Sequence, residues 1–441
     1  MEGVNKNCDD GKVLVEFASV LKLIIYSIIG IVVFFIPIKI NGHYWTIIYH
    51  ISYKLQTQAN NFLELCVIVY VSLSCIKSIF ISKKNGTNEI LNYIRLFSLI
   101  IILSIFYGEN EIILLDDNVS LLIYELVINI STVFPISAIF ITFLLDYGLL
   151  DVVESYCHTF MKKNFNLSGK TIINILLYIS TDCFCGMFMT SKLYNEGKIR
   201  LNEACNIVLN FSILSIPMIL YVSKELNIKC RDLAIIVVFL VLILNILMSR
   251  LYPIKKKKKS YFTKTSYKET IHKSDKLEKA IKKYLKNKSK TNIFKSMLNN
   301  FEESISVLMK LIPNLVLVLY LGQIIINSNL ISETVQVIFS PILELLKIPN
   351  KSDLSIFIIN TFYNNIIAID NVNLHVQYST RLLIAIIAVL NCTCISSNYI
   401  YINNTNIKLN KKEFLVSYIQ RIVLIIFIYS LMYYFYRGYI M

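Results

Sequence analysis

Charge is scarce in this chain of 441 residues, and most of its imbalance sits in one place. Asp, Glu, Lys and Arg make up 17% of the sequence, against ~25% in typical soluble domains. That shortage argues against an ordinary soluble domain. Histidine is sparse as well. His43, His50, His158, His272 and His375 are scattered, and neither an HExxH pair nor a Gly-rich phosphate loop occurs. No catalytic set and no energising ATPase is apparent, so neither enzymatic activity nor a cofactor is expected. The usual structural-zinc spacings are missing. The ten cysteines lie mostly inside apolar runs, where Cys acts as a small hydrophobe, and they do not form a secreted disulfide framework. Cys183-x-Cys185 and Cys392-x-Cys394 have the softness to hold Cu(I); packing is the plainer reading. Residues 1–20 carry Glu2, Asp9, Asp10 and Glu16 where a cleavable signal would be basic. The first apolar run is therefore expected to remain as an anchor.

What is abundant is apolar sequence. Hydrophobic residues make up 55% of the chain, and the mean hydropathy is +0.59. Runs near 20 residues, the length that crosses a bilayer, fall at Leu21–Ile40, Phe62–Ile81, Leu91–Tyr107 and Leu121–Phe143. Others fall at Cys205–Val222, Leu233–Met248, Ile305–Ile325, Leu382–Ser397 and Phe414–Tyr433. Two more, Thr171–Thr190 and Leu354–Ile369, are interrupted by polar residues. The expected class is an all-α polytopic transmembrane protein.

The first interrupted stretch holds Asp182 among Ser180, Thr181, Cys183, Cys185 and Gly186. An acid at membrane depth costs at least ~2.5–3.5 kcal/mol on insertion scales, so it faces a cavity, a partner or a solute path. A broken helix or re-entrant loop accommodates such a cluster better than a plain span. A polar knot that only ties helices together is the competing reading.

Between Ser249 and Ser296 stand seventeen Lys and Arg against three acids, a net of +14 out of +15 for the whole chain. A run this basic raises nucleic acid as a partner. Lying between apolar spans, it is explained more simply by the positive-inside rule, with anionic lipid headgroups as natural partners and no nucleic acid. Gly108–Asn118 carries Glu109, Glu111, Asp116 and Asp117 and no base. The basic loop is expected in the cytoplasm of a cell-membrane protein, and the acidic loop outside. Span counting between them puts both on the expected sides only if Thr171–Thr190 dips in and returns.

Each half repeats one order of elements. A proline-bearing span (Pro135, Pro313) precedes an amphipathic stretch, with Leu149, Val152, Val153, Tyr156 and Phe160 in the first half and Ile331, Val335, Ile338, Ile342 and Leu345 in the second. The interrupted segment and two further spans follow. An odd number of full crossings per unit makes the second unit enter from the opposite side, the inverted repeat common in secondary transporters. The divisions expected are 1–118 for an N-terminal three-span region, 119–248 for the first repeat, 249–296 for the basic loop and 297–441 for the second repeat. Sites in such folds lie near the midplane, where interrupted helices meet. The candidates are Ser180, Thr181 and Asp182 with Asn360, Thr361, Asn364, Asn365 and Asp370. Asn210, Ser212, Asn391 and Thr393 on the following spans join them.

Three stretches of the first half carry a family resemblance: Ser168–Gly–Lys–Thr–Ile–Ile–Asn174, Tyr194–Asn–Glu–Gly–Lys–Ile–Arg–Leu–Asn–Glu–Ala204 and Asn210–Phe–Ser212–Ile–Leu–Ser215. With Arg381–Val389 and Ile407–Lys408 of the second half, they resemble the YjiH-like membrane proteins, which carry the nucleoside-recognition gate domain. The resemblance spans roughly Leu121–Tyr436 and implies transport or gating without naming a substrate. Where that family shows an acid and a proline in its second interrupted segment, this chain has Asn360–Thr361–Phe362–Tyr363–Asn364. The function expected is a transporter or permease for a small polar solute or ion. The alternative is a non-transporting scaffold that recruits a partner through the Lys-rich loop.

The topology is open to a direct check. Cysteines introduced at Ser260 or Ser274 are expected to escape membrane-impermeant maleimide on intact cells and to react after permeabilisation. Strong labelling from outside would overturn the orientation.

Overall fold

The computed structural model describes residues 20–85, 89–108, 115, 117–212, 216–263, 281, 292–326, 340–341, 343–344, 348–372, 375–391 and 394–440. Helices dominate, and among the described residues five are long and apolar enough to cross a membrane. Their outer faces suit lipid. Along α3 (Asn60–Asn85), Phe62, Leu65, Val69, Leu73, Ile76 and Phe80 recur at helical spacing, and all are exposed. Such a stripe would be unfavourable in water and is at ease in a bilayer.

The N-terminal region opens with α1 (Val20–Phe35). The apolar run expected to reach Ile40 stops there, because Pro37 cannot extend a helix and Asn41–Gly42 turns the chain. Both turn residues have positive φ, 49° and 84°, the type I′ geometry that closes a two-residue hairpin. That hairpin pairs β1 (Ile38–Ile40) with β2 (His43–Trp45). Next come α2 (Ile47–Gln58), α3 and α4 (Glu89–Tyr107).

The centre of the bundle is a crossing of two proline-bearing helices, α5 (Asp117–Leu145) and, from the second half, a long helix over Ile293–Ile326. They run antiparallel: Asn300 of the latter donates to Thr142 Oγ1 at 2.8 Å, near the end of α5. After α5, α6 (Leu149–Phe165) turns Tyr156 and Phe160 outward and buries Glu154 and His158. Leu149, Leu150, Met161 and Phe165 are buried with them, so the outward face holds only part of the expected apolar stripe. The buried Glu154 is held by Lys170, itself 2% exposed, at 3.5 Å. Gly169 lets the chain come this close, since a Cβ there would lie 2.7 Å from the Glu154 carbonyl oxygen.

The interrupted segment Thr171–Thr190 is a helical hairpin. α7 (Thr171–Ser180) and α8 (Cys183–Asn195) pack on each other with Asp182 at the tip. Asn174 Nδ2 donates to Thr190 Oγ1 at 2.7 Å, and Tyr178 OH lies 3.2 Å from the same hydroxyl. Tyr178 also packs on Gly186. Both pairings, Asn174 with Thr190 and Tyr178 with Gly186, are centred on residue 182. The chain therefore returns to the end it came from. At that end Leu201 N–H donates to Ser260 O at 2.8 Å, which brings the start of the basic loop to the same side.

The stretch expected as one span over Cys205–Val222 is instead α9 (Leu201–Asn210) and α10 (Ile216–Glu225), with Phe211 and Ser212 outside either helix. It is followed by α11 (Cys230–Met248) and, after the basic loop, by α12 (Ile293–Ile326). The second interrupted segment gives α13 (Lys351–Tyr363) and α14 (Asn365–Asp370), again packed together, with Asn364 between them. The span expected over Leu382–Ser397 is broken too. α15 (Tyr378–Leu390) ends at Asn391, and Cys394 leads into a π-helical turn over Ile395–Tyr399 that runs into α16 (Ile400–Asn403). In both cases an apolar run long enough to span contains a polar island, and the helix stops there. α17 (Lys411–Ile440) closes the fold. The expected amphipathic helix over Ile331–Leu345 lies almost wholly outside the described residues.

The halves interleave. One apolar core joins α5 and hairpin α7–α8 to α12 and α16; the other joins α10 and α11 to α13, α15 and α17. At one end of the bundle Asn406 meets Asn195 at 3.0 Å and Lys257 meets Glu413 at 2.6 Å. At the other, Arg381 meets Leu226 O at 3.4 Å and Thr380 meets Pro349 O at 3.0 Å.

The first hairpin depends on Gly186, where a Cβ would come within 2.4 Å of the Tyr178 ring. Gly186→Ala is expected to cost about 1–3 kcal/mol of stability through overpacking. Thermal unfolding in detergent checks this, and adding Tyr178→Ala should recover part of the loss. No loss in the single variant would show that the two arms are not packed as described.

Candidate functional site

Two helix ends meet at Arg421, near the middle of α17. The side chain is fully buried. Its Nε donates to Leu390 O at 2.5 Å, at the end of α15. One terminal nitrogen donates to Asn210 O at 3.3 Å, at the end of α9, and both reach Asn245 Oδ1 of α11 at 3.4 Å. Helix C-termini leave carbonyls without intrahelical donors, and inside a bilayer no bulk water can meet them. A guanidinium supplies five N–H groups in one plane. No carboxylate among the described residues pairs with it.

The neighbouring carbonyls are met by a second donor. Asn365, the first residue of α14, gives its amide to Ala388 O and Asn391 O, both at 3.1 Å. Asn391 Nδ2 approaches Thr361 O at 3.5 Å. Thr361 Oγ1 donates to Ile358 O at 2.7 Å and lies 3.2 Å from Tyr418 OH. Across the halves, Asn398 Nδ2 of the π-helical turn donates to Ser212 Oγ at 2.6 Å. Asn210 Nδ2 donates to Asn206 Oδ1 at 2.7 Å. Of the candidates read from the sequence, Asn210, Ser212, Thr361, Asn365 and Asn391 are thus gathered by the fold into one buried polar region.

The remaining candidates sit elsewhere. Asp182 caps α8, accepting from Cys185 N–H at 2.8 Å, and its hydrogen bonds stay within its own hairpin. Ser180 and Thr181 bond back to Leu177 O at 3.4 and 2.7 Å, while Tyr49 OH of α2 fastens Thr181 O at 2.9 Å. Asn360 lines a cavity of about 90 Å³ between the arms of the second hairpin, with Asp353, Phe357, Ala368 and Asn371. That is room for several waters. Asp370 stands at the end of α14, hydrogen-bonded to Tyr221 OH. Thr393 lies outside the described residues, as does Cys392. Among the described residues no group of three or more His, Cys, Asp or Glu is placed to hold a metal.

The tips of the two hairpins have the same construction. Asp182 and Asn364 are both extended residues that cap the following helix with a side-chain oxygen, Asn364 accepting from Ile366 and Ile367 N–H at 2.8 and 3.3 Å. Asp182 differs in carrying an acid. It is partly exposed. Tyr401 of α16 lies within electrostatic reach of Asp182 and Cys185, and its ring is 6.3 Å from Phe184. Its buried hydroxyl has no hydrogen-bond partner among the described residues.

Arg421, Asn245, Asn398 and Tyr401 were not among the sequence candidates. A lone Arg inside the apolar run Phe414–Tyr433 was the available signal, since an ionisable residue at membrane depth marks function by default. Arg421→Lys keeps the charge but loses the planar fork. It is expected to lower stability by about 1–3 kcal/mol, the cost of leaving a buried acceptor unmet. Thermal unfolding in detergent reads this, and an unchanged midpoint would show that the fork is not needed.

No family model matches the chain. An uncharacterized protein of Alkalihalophilus pseudofirmus is 26% identical over 233 residues, covering 52% of this chain and 50% of that protein. The chain thus matches about half the length of this curated relative. A solved structure of a doubly substituted CNTnw in an outward-facing state aligns over 92% of this chain and 96% of that one, with 11% identity and a TM-score of 0.46.

Proposed function

We propose that this chain is a membrane transporter or permease of the YjiH-like, gate-domain kind, moving a small polar solute or ion. It is built from two inverted units, 119–248 and 297–441, with the basic loop in the cytoplasm. The observation that carries the reading is the pair of hairpin tips. Asn364 caps its helix without a charge, so capping does not require the acid at Asp182. An acid at membrane depth that local structure does not require suits a group that meets a coupling ion, a proton or a polar solute. Interrupted helices of such folds offer polar groups that replace a solute's hydration, and Tyr401 brings a hydroxyl within electrostatic reach of Asp182. This partnerless hydroxyl of Tyr401 supports the same assignment. Asn210, Ser212, Thr361, Asn365 and Asn391 then brace the broken helix ends of the bundle, and Asn360, Asn364 and Asp370 belong to the second hairpin.

The test is transport by purified protein in liposomes over nucleosides, amino acids and metal ions, followed by Asp182→Asn. Asn is as good an N-cap as Asp, and loss of the charge at the helix N-terminus costs at most about 1 kcal/mol. Transport is expected to fall at least tenfold while the melting temperature changes little. Full transport by the variant would remove Asp182 from the mechanism, and no transport of any solute would favour the scaffold.

A further inference from the structure

The basic segment after α11 does more than carry charge. Its first residues fold against the ends of two other helices and form a cleft of about 400 Å³. The walls are Lys162 and Asn166 from the end of α6, Arg200 and Asn202 at the start of α9, and Ser249, Arg250, Lys255 and Lys259. Ligand pockets occupy about 300–1,000 Å³, so this one has room for a phosphoryl group and what it is attached to.

Five cations line this space, and the carboxylate of Glu203 lies beside two of them. Glu203, 1% exposed, lies 3.7 Å from Lys162 and accepts from Arg200 N–H at 3.0 Å. Arg200 is steadied by Tyr261, with its Nε 3.1 Å from the Tyr261 hydroxyl and its guanidinium over the ring. Arg250, Lys255 and Lys259 have no carboxylate partner among the described residues. The adjacent Lys257 does, because Glu413 holds it at 2.6 Å. The fold thus neutralises one lysine of the run and leaves three cations around the cleft. Gathering like charges is unfavourable without an anion among them.

A second feature points to a ligand. Asn202 is 9% exposed, and its side-chain oxygen has no hydrogen-bond partner among the described residues. Oxygen and nitrogen of a carboxamide are interchangeable by rotation, so the same group can turn an N–H toward an anion. The N-terminus of α9 adds the positive end of its dipole. Ser249 and Arg250 directly follow the apolar helix α11, which sets the cleft at the level where a membrane-crossing helix ends.

We propose that this cleft binds a phosphoryl group bearing at least one full negative charge, held by Arg200, Arg250, Lys255 and Lys259 with Asn202 as a neutral donor. A phospholipid headgroup and a soluble phosphate ester share that chemistry. Arg suits it by bidentate contact, Lys by point charge. The assignment does not depend on whether the chain transports anything.

The full chain, purified and delipidated in dodecyl maltoside, is titrated with inorganic pyrophosphate. In parallel it is given dioleoylphosphatidylglycerol or dioleoylphosphatidylcholine and followed by native mass spectrometry. Saturable binding of pyrophosphate assigns a soluble ligand, and selective retention of phosphatidylglycerol assigns a lipid; either supports the site. The triple variant Arg250→Gln, Lys255→Gln, Lys259→Gln alters exposed side chains only and is expected to weaken that binding at least tenfold. A control with Lys256→Gln, Lys258→Gln and Lys411→Gln removes equal charge outside the cleft and should bind as wild type does. Asn202→Asp places a carboxylate in the wall and should weaken binding by a similar factor. Binding of neither probe, or equal losses in the triple variant and the control, overturns the proposal.

Discussion

Among the helices that stop part-way through this bundle, α9 and α15 leave backbone carbonyls facing an interior with little water. Arg421 meets both. Its guanidinium reaches Leu390 O from α15 and Asn210 O from α9, so one side chain closes an unmet end in each half of the chain. The constraint is that of every membrane interior: non-helical backbone is tolerated only where something satisfies it. A charge there is costly, and it is sustained by three acceptors gathered around the guanidinium. Asn365 does the same for Ala388 and Asn391 without a charge. Together they keep α15 ended at Asn391 while the second hairpin packs beside it.

The interleaving of the halves follows from those broken helices. Because α9 and α10 are separate, α9 stays in the core that holds the first hairpin while α10 joins the core that holds the second. The π-helical turn and α16 make the reciprocal move and bring Tyr401 against α8. Neither half has a core of its own. Each hairpin is flanked by a helix segment contributed by the other half, and the contact between Asn398 and Ser212 ties the two breaks together.

Much of this was legible in the residues. The polar interruption at Asp182 marks the first hairpin tip. That signal is strong because polar residues stand out in apolar sequence. The breaks inside Cys205–Val222 and Leu382–Ser397 were hidden for the opposite reason: hydropathy averaged over a span overlooks a few amides, while the backbone responds to each. The Asn41–Gly42 hairpin was readable from its dipeptide alone but lay at the end of a long apolar run that reads as a span. Arg421 stood in plain view, yet its partners are mostly main-chain oxygens, which no side-chain pattern announces. The motif around Ser168–Gly169–Lys170 has a structural meaning in close approach to α6 and in the ion pair with Glu154.

The bundle contains an acid at one hairpin tip and a guanidinium at the helix breaks, and each bonds to backbone. In a low-dielectric interior, opposite charges gain most by pairing, and leaving them apart exposes each to its own desolvation cost. A fold concerned with stability alone has cheaper solutions: Asn364 caps its hairpin with an amide, and Asn365 meets two carbonyls with another. Where the first hairpin uses Asp182 in the role that Asn364 fills in the second, the difference between them is charge and little else. The charge adds at most about 1 kcal/mol to the hairpin through the dipole of α8, and on the proposed reading it is the part of the site that a passing ion or solute meets.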